Sequence, residues 1–457
     1  MIATPPPVSE VSNWRFPHHI EHRLDNGLRV LRYDCPGQYV VAASMLFDLP
    51  LTAEPREVEG VAGLVGRCLT RGAAGRSAEE FADALALCGA DLDASAFPDG
   101  FVVRLSAPTV ELTDAFGLMA DALMAPEFDV DEFAHEQRLR LQEIDQAAAY
   151  PQHVAVEHLN AALFGEHRAA RPVGGSATSV RAVGRDDVVE YAARNLDPRG
   201  ATLVIAGDFA DLDLESLLRD TFGGWQGADI AQPVHPVVPA ASSDRPQVLL
   251  VDWPDAPQST LRLAGPGITR GDSRWPGMFV ANFAIGGNFS SRINTVLREE
   301  KGFTYGAGSS LDTGRSTGLV AISTAVRTDA TAEALTEVIA IMRAAPGSIT
   351  DEEVAMASRA ATESAALGFE RADSVVGRVE LLLSQGLPLD HVDVNLERIR
   401  TVTTAAANEA LTSILRPDAF TVVVVGAADE LRRPLADWGY AGVTEVAPTR
   451  TSTATPD

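Results

Sequence analysis

Apolar residues recur along this chain with two different periods, and the switch between them lays out the elements. From Gly60 to Arg71 the sequence G-V-A-G-L-V-G-R-C-L-T-R places Val61, Leu64, Val65, Cys68 and Leu69 at i, i+3, i+4, i+7 and i+8, the buried stripe of a helix. Phe16 to Leu31 alternates apolar and polar positions about Asp25-Asn26-Gly27, which predicts a hairpin. Tyr39 to Phe47 is an almost unbroken apolar run and predicts a strand covered on both faces. Ser77-Ala78-Glu79-Glu80 is a capping box opening a second helix that ends at Gly89, and Ala90 to Leu105 reads as two strands turning at Pro98-Asp99-Gly100. Further helices are predicted from about Leu112 to Leu123, from Asp131 to Gln146 and near Asp186 to Arg194.

One pattern occurs twice. Leu196-Asp-Pro-Arg-Gly-Ala-Thr-Leu-Val-Ile-Ala-Gly207 and Leu415-Arg-Pro-Asp-Ala-Phe-Thr-Val-Val-Val-Val-Gly426 share Leu, Pro, Thr, an apolar strand and Gly at a constant offset, 415 − 196 = 219. An internal repeat of this kind predicts an α+β protein of two tandem homologous domains, each a mixed, mainly antiparallel sheet flanked by helices. The expected domains are residues 16–230 and 247–445, joined by a Pro- and Ser-rich linker at 231–246. The ends, 1–15 and 446–457, are rich in Pro or Thr and are expected to be disordered.

Charge narrows the partners. With 63 acidic against 37 basic residues the net charge is −26, which disfavours nucleic acid and anionic membranes and suits a basic or neutral partner, or solubility alone. The only lysine is Lys301, leaving 37 − 1 = 36 arginines, a bias that reads as genome composition. Cys35, Cys68 and Cys88 are too few and too irregular for a disulfide framework and read as core thiols of a reducing compartment. No signal sequence and no run of 18 apolar residues is present, so a cytoplasmic protein is expected.

His18-His19-Ile20-Glu21-His22 fits H-x-x-E-H literally. That motif works on a helix, where imidazoles at i and i+4 share a face and bind zinc while the Glu activates water. Here Pro17 precedes and the hairpin follows, and in an extended chain His18 and His22 lie about 13 Å apart, too far for two bonds of about 2 Å to one metal. His135, His153, His158 and His167 are scattered through helix and loop and read as surface or satisfied histidines.

The helix from Gly60 to Arg71, with the R-G-A-A-G-R-S-A-E-E-F-A-D-A-L-A-L-C-G-A-D-L-D-A-S that follows, resembles the active-site segment of the pitrilysin/insulinase-type zinc peptidases. The resemblance implies H-x-x-E-H at positions that read Gly63, Gly66 and Arg67. Neither glycine can ligate metal or accept a proton, and Arg67 puts a fixed positive charge where zinc belongs. Glu136 and Glu143, two turns apart on the Asp131 to Gln146 helix, match the family's carboxylate pair, whose second member binds zinc about 76 residues beyond the last His of the motif; here 143 − 67 = 76, whereas 143 − 22 = 121. In the second half Ile285-Gly-Gly-Asn-Phe-Ser-Ser-Arg-Ile-Asn-Thr-Val-Leu-Arg-Glu-Glu-Lys-Gly-Phe-Thr-Tyr305 resembles the family segment whose Arg and Tyr bind substrate, and Arg298 and Tyr305 occupy those positions.

The resemblance therefore implies a chain with no catalytic residue and no metal of its own. It implies a homologous partner that carries H-x-x-E-H and the zinc, with a peptide as shared substrate, as in heterodimeric bacterial members and mitochondrial processing peptidase. Only Gly286-Gly287 stands where the mitochondrial non-catalytic subunit has a long glycine-rich loop, so presequence-type specificity is not implied. An inactive scaffold or binding protein, like the respiratory-complex core subunits of this fold, is the alternative; a self-sufficient zinc enzyme lacks ligands.

Overall fold

The computed structural model describes residues 14–228, 235 and 245–447, so most of the expected linker and nearly all of both expected disordered ends lie outside the described residues. Twelve strands form two six-stranded sheets. The first contains β1 (His19–Arg23), β2 (Arg29–Asp34), β3 (Val40–Phe47), β4 (Asp91–Phe97), β5 (Gly100–Pro108) and β6 (Ala201–Gly207) in the order β1-β2-β6-β3-β5-β4. The second contains β7 (Gln247–Asp252), β8 (Gln258–Pro266), β9 (Ala307–Thr313), β10 (Gly318–Arg327), β11 (Thr421–Gly426) and β12 (Val443–Val446) in the order β12-β7-β11-β8-β10-β9.

Five strands correspond in order and direction. β2-β6-β3-β5-β4 matches β7-β11-β8-β10-β9, with one parallel pair, β2–β6 or β7–β11, and antiparallel pairs beyond it. The repeat lies in register: Ala206 pairs with Ala42 and Val425 with Thr260, and 206 + 219 = 425. The outermost strand differs, β1 joining by the predicted hairpin and β12 by a parallel pairing from the C-terminal side. In the hairpin the amide of Gly27, at φ 92, donates to the Leu24 carbonyl, a left-handed conformation that favours glycine.

Each sheet is covered on one face by helices of its own half. Along β6, Leu203 and Ile205 join that core, and along β11 Val422 and Val424 do. The opposite faces are covered reciprocally. Val204 and Ala206 pack with Val375, Val376, Val379 and Leu382 of helix Ala372–Ser384 from the second half. Val423 and Val425 pack with Val154, Ala155, Leu159 and Leu163 of helix Pro151–Phe164 from the first half. These helices occupy corresponding places in the repeat, since 372 − 151 = 221 and 384 − 164 = 220. Burying four such aliphatic side chains contributes on the order of 6–12 kcal/mol as an upper bound. Both strands are apolar on both faces for this reason.

Polar ties join the halves. Arg104 of β5 grips Glu380 through Nε to Oε1 at 3.0 Å and Nη2 to Oε2 at 2.8 Å, and Arg315 Nη1 donates to Asp48 Oδ1 at 2.6 Å. Between the halves lies a cavity of about 1090 Å³.

Candidate functional site

Helix Val61–Leu69 forms one wall of that cavity, and its predicted stripe, Val61, Leu64, Val65, Cys68 and Leu69, is buried. Its start is held by a carboxylate rather than by a hydroxyl cap: Glu54 accepts from the Gly60 and Ala62 amides, each at 3.1 Å, which places negative charge at the positive end of the helix. Arg168 Nη2 lies 2.9 Å from Glu54 Oε2 and its other donors reach the carbonyls of Arg171, Pro172 and Val173. Burial pushes the Glu54 carboxyl above the ordinary range, against the pull of Arg168.

Gly63, Gly66 and Arg67 all line the cavity. At Gly66 a β-carbon would sit 2.7 Å from the Ala94 carbonyl oxygen of β4, so the edge strand has closed against the helix where the resemblance implies a catalytic Glu. At Gly63 the nearest atom to a β-carbon, Gly174 Cα, is at 3.5 Å, ordinary contact.

Arg67 reaches across to helix Val130–Ala147, whose first turn is capped by Asp129. Arg67 Nε donates to Glu136 Oε2 at 2.9 Å, and its Nη1 and Nη2 reach Glu143 Oε2 and Oε1 at 3.1 and 2.9 Å. Arg71 Nε takes the other oxygen of Glu136 at 2.7 Å, and Arg140 Nη1 lies 3.3 Å from Glu143 Oε2. Glu136 is 1% exposed, so both of its oxygens are satisfied by guanidinium alone. The structure thus brings together four of the sequence-selected residues, Gly63, Gly66, Arg67 and Glu136, at one wall, with Glu143 at its edge.

These residues do not fit zinc. Both carboxylates are bound by a cation that has no vacant coordination position and cannot polarise a water. The neighbouring Cys68 offers no thiolate, because burial pushes its thiol up to about 12. Among the described residues no group of three His, Cys, Asp or Glu could hold a metal ion. The literal H-x-x-E-H is extended chain, as its context predicts, His18 directly preceding β1 and the rest lying on it, with Glu21 bonded to Arg29 at 2.9 Å and held below the ordinary carboxylate range by it. His153 contacts Glu157 at 3.1 Å, and His167 Nδ1 accepts from the Ala169 amide.

Arg298 and Tyr305 are placed elsewhere. Neither lines the cavity. Arg298 belongs to a widened helical turn, Thr295–Glu300; its guanidinium lies over the Phe289 ring, 4.2 Å from the centroid, and Glu299 is its nearest carboxylate at 3.7 Å. Tyr305 is 92% exposed and Phe289 66%. Asn294 fastens this surface, donating to the Phe289 carbonyl at 2.6 Å and accepting from the Ala307 amide at 3.0 Å. Arg292, in the same motif, is bound to Glu353 at 2.7 and 2.8 Å and so braces the scaffold.

Sequence reasoning missed Arg71, Arg140 and Phe289. The first two carried a signal: Arg71 is one turn beyond Arg67, and Arg140 stands three residues before Glu143 on the same helix. Phe289 carried none, since a loop folds it back beneath Arg298.

Residues 29–177 match the family model described as Insulinase (Peptidase family M16), and residues 182–360 the one described as Peptidase M16 inactive domain. The chain belongs to peptidase family M16. Its relatives within the family include an uncharacterized zinc protease of Mycobacterium tuberculosis, 27% identical over 403 residues and spanning 86% of this chain and 90% of that protein. Another is an uncharacterized zinc protease of Bacillus subtilis, 23% identical over 83% of this chain and 93% of the other. The M16 fold extends to solved structures: the peptidase M16 inactive domain from Pseudomonas fluorescens superposes with TM-score 0.81 at 21% identity, over 89% of this chain and 98% of that one. A chain of Complex III2 from Candida albicans superposes with TM-score 0.74 at 16% identity, over 93% and 100%. Among the described residues no helix is long and apolar enough to cross a membrane.

Proposed function

We propose that this chain is the non-catalytic subunit of a two-chain zinc metallopeptidase. It supplies Arg298 and Tyr305 to the active site of a homologous partner that carries H-x-x-E-H and zinc, while binding no metal itself. The observation that supports the reading most is the position of Tyr305 and of Arg298 on its Phe289 platform. Tyr305 stands outward and Arg298 lies half-buried over Phe289 on a braced surface, both outside the lining of the cavity in which this chain's own degenerate motif lies. On a partner's metal, an arginine offers a fork of donors to a peptide carbonyl and a tyrosine hydroxyl can donate to the oxyanion as that carbonyl becomes tetrahedral. Cytoplasmic location goes with this reading, given three free cysteines, two of them buried.

The test is reconstitution with a homologous chain bearing the intact motif. Arg298→Ala and Tyr305→Phe are each expected to lower the pair's turnover of peptide substrate, by about 10²- to 10³-fold for loss of one oxyanion donor, with assembly and the partner's zinc content unchanged. Full activity of both variants in a confirmed pair removes the reading. The second reading, an inactive scaffold, is favoured by the likeness to a chain of Complex III2; it predicts stable association with a partner and no effect of either substitution on catalysis.

A further inference from the structure

The turn after β8 meets the helices of residues 372–400. A β-carbon on Gly271 would lie 3.5 Å from Leu387 Cδ2, which fixes how closely the turn approaches the loop leading into helix His391–Arg400. Three basic side chains of this junction lie within electrostatic reach of one another. Arg270 lies flat on the buried Trp275, its guanidinium carbon 4.9 Å from the ring centroid, and its Nε is buried without a hydrogen-bond partner among the described residues. Arg378, on helix Ala372–Ser384, lies on Phe369 at 5.0 Å. His391 opens the next helix.

The charges are not balanced. Burial and then the Arg378 charge depress Arg270, and burial depresses Arg378. Burial, Arg270, Arg398 and Arg378 hold His391 below the ordinary imidazole range, with exposed Asp390 opposing them. Elsewhere this acidic chain matches its partly buried arginines to carboxylates: Arg67 and Arg71 to Glu136, Arg104 to Glu380, Arg168 to Glu54. Stacking on Trp275 and Phe369 uses the faces of the two guanidiniums, and among the described residues their N–H edges have no hydrogen-bond partner; those edges are what bind oxyanions. A buried unpaired cation is costly, and arginine cannot relieve the cost by losing its proton.

We propose that Arg270, Arg378 and His391 form a binding site for a phosphate group, free or carried as a phosphomonoester on a small molecule. The two guanidiniums would supply paired donors to separate oxygens and the imidazole would complete the third side.

The test uses the full chain and inorganic phosphate as the probe, read as the thermal midpoint Tm against chloride at matched ionic strength. At roughly tenfold excess over Kd, phosphate is expected to raise Tm by about 2 °C, and Arg270→Gln and Arg378→Gln are each expected to abolish most of the rise. A parallel arm with glycerol phosphate separates the sources: a larger rise than with inorganic phosphate assigns an organic phosphate, and an equal or smaller one assigns the free ion. Arg378→Met covers the case in which the glutamine variants fold poorly. In phosphate-free buffer it is expected to keep or raise Tm, because it removes an uncompensated charge while conserving length. Absence of a phosphate-specific rise in the parent chain overturns the proposal. So does a rise retained in both glutamine variants, or one of equal size with acetate.

Discussion

The two halves share five strands in one order, yet they treat their family-motif residues in opposite ways. In the first half every charged residue of the degenerate site is committed: Arg67 to Glu136 and Glu143, Arg71 to Glu136, Arg168 to Glu54. In the second half Arg292 is committed to Glu353, whereas Arg298, half-buried over Phe289, has its chain neighbour Glu299 as nearest carboxylate at 3.7 Å, and Tyr305 stands at the surface. The difference teaches that the first-half carboxylates are spent on structure: the Arg67 guanidinium holds Glu136 and Glu143 and makes of them a brace between helices Val61–Leu69 and Val130–Ala147.

Substitutions can break that contrast. The largest effect is expected from Arg168→Ala, which leaves the buried Glu54 carboxyl beneath the helix start with only the Gly60 and Ala62 amides as partners. A loss of about 3–5 kcal/mol in denaturant-unfolding stability should follow, whereas a loss below about 1 kcal/mol would show that water replaces the guanidinium. Rebuilding the motif by Gly63→His, Gly66→Glu and Arg67→His is expected to cost about 1–3 kcal/mol for the overlap at Ala94. It should also bind no stoichiometric zinc, as elemental analysis would read it. One tightly held zinc per triple-variant chain would mean that β4 yields easily.

Arg67→Ala alone should cost about 1–2 kcal/mol, because Arg71 and Arg140 remain beside the two carboxylates and Arg67 is partly exposed. The smallest effect sharpens the comparison. Arg298→Ala and Tyr305→Phe should each change the stability of the isolated chain by no more than about 0.5 kcal/mol. A loss above about 1 kcal/mol in either variant would mean that the second half also spends these residues on its own fold.

Much of this organisation is legible in the sequence. The i, i+3, i+4 stripe from Val61 to Leu69, the turn at Pro98-Asp99-Gly100 and the 219-residue offset each fix an element or an equivalence through local spacing. The burial of Glu136 is not legible in that way. Seven-residue spacing on an acidic helix says that Glu136 and Glu143 share a face, and the two guanidiniums that cover Glu136 come from helix Val61–Leu69 and the turn just after it. The stripe Val154, Ala155, Leu159 and Leu163 likewise says that helix Pro151–Phe164 is covered, but period alone cannot say by which sheet. Nor does any spacing set Phe289 beneath Arg298, since a loop makes that contact.

The crossing of helices Pro151–Phe164 and Ala372–Ser384 reaches beyond packing. Swapping corresponding segments between two like units is what a pair of identical chains does around a twofold axis, and here that arrangement is written into one polypeptide. Severed at the linker, neither fragment could shield its sheet from water; each would carry a bare apolar face and a displaced helix complementary to the other's need. The halves are therefore obligate complements, a segment-swapped pair held within one chain rather than two freestanding modules placed in series.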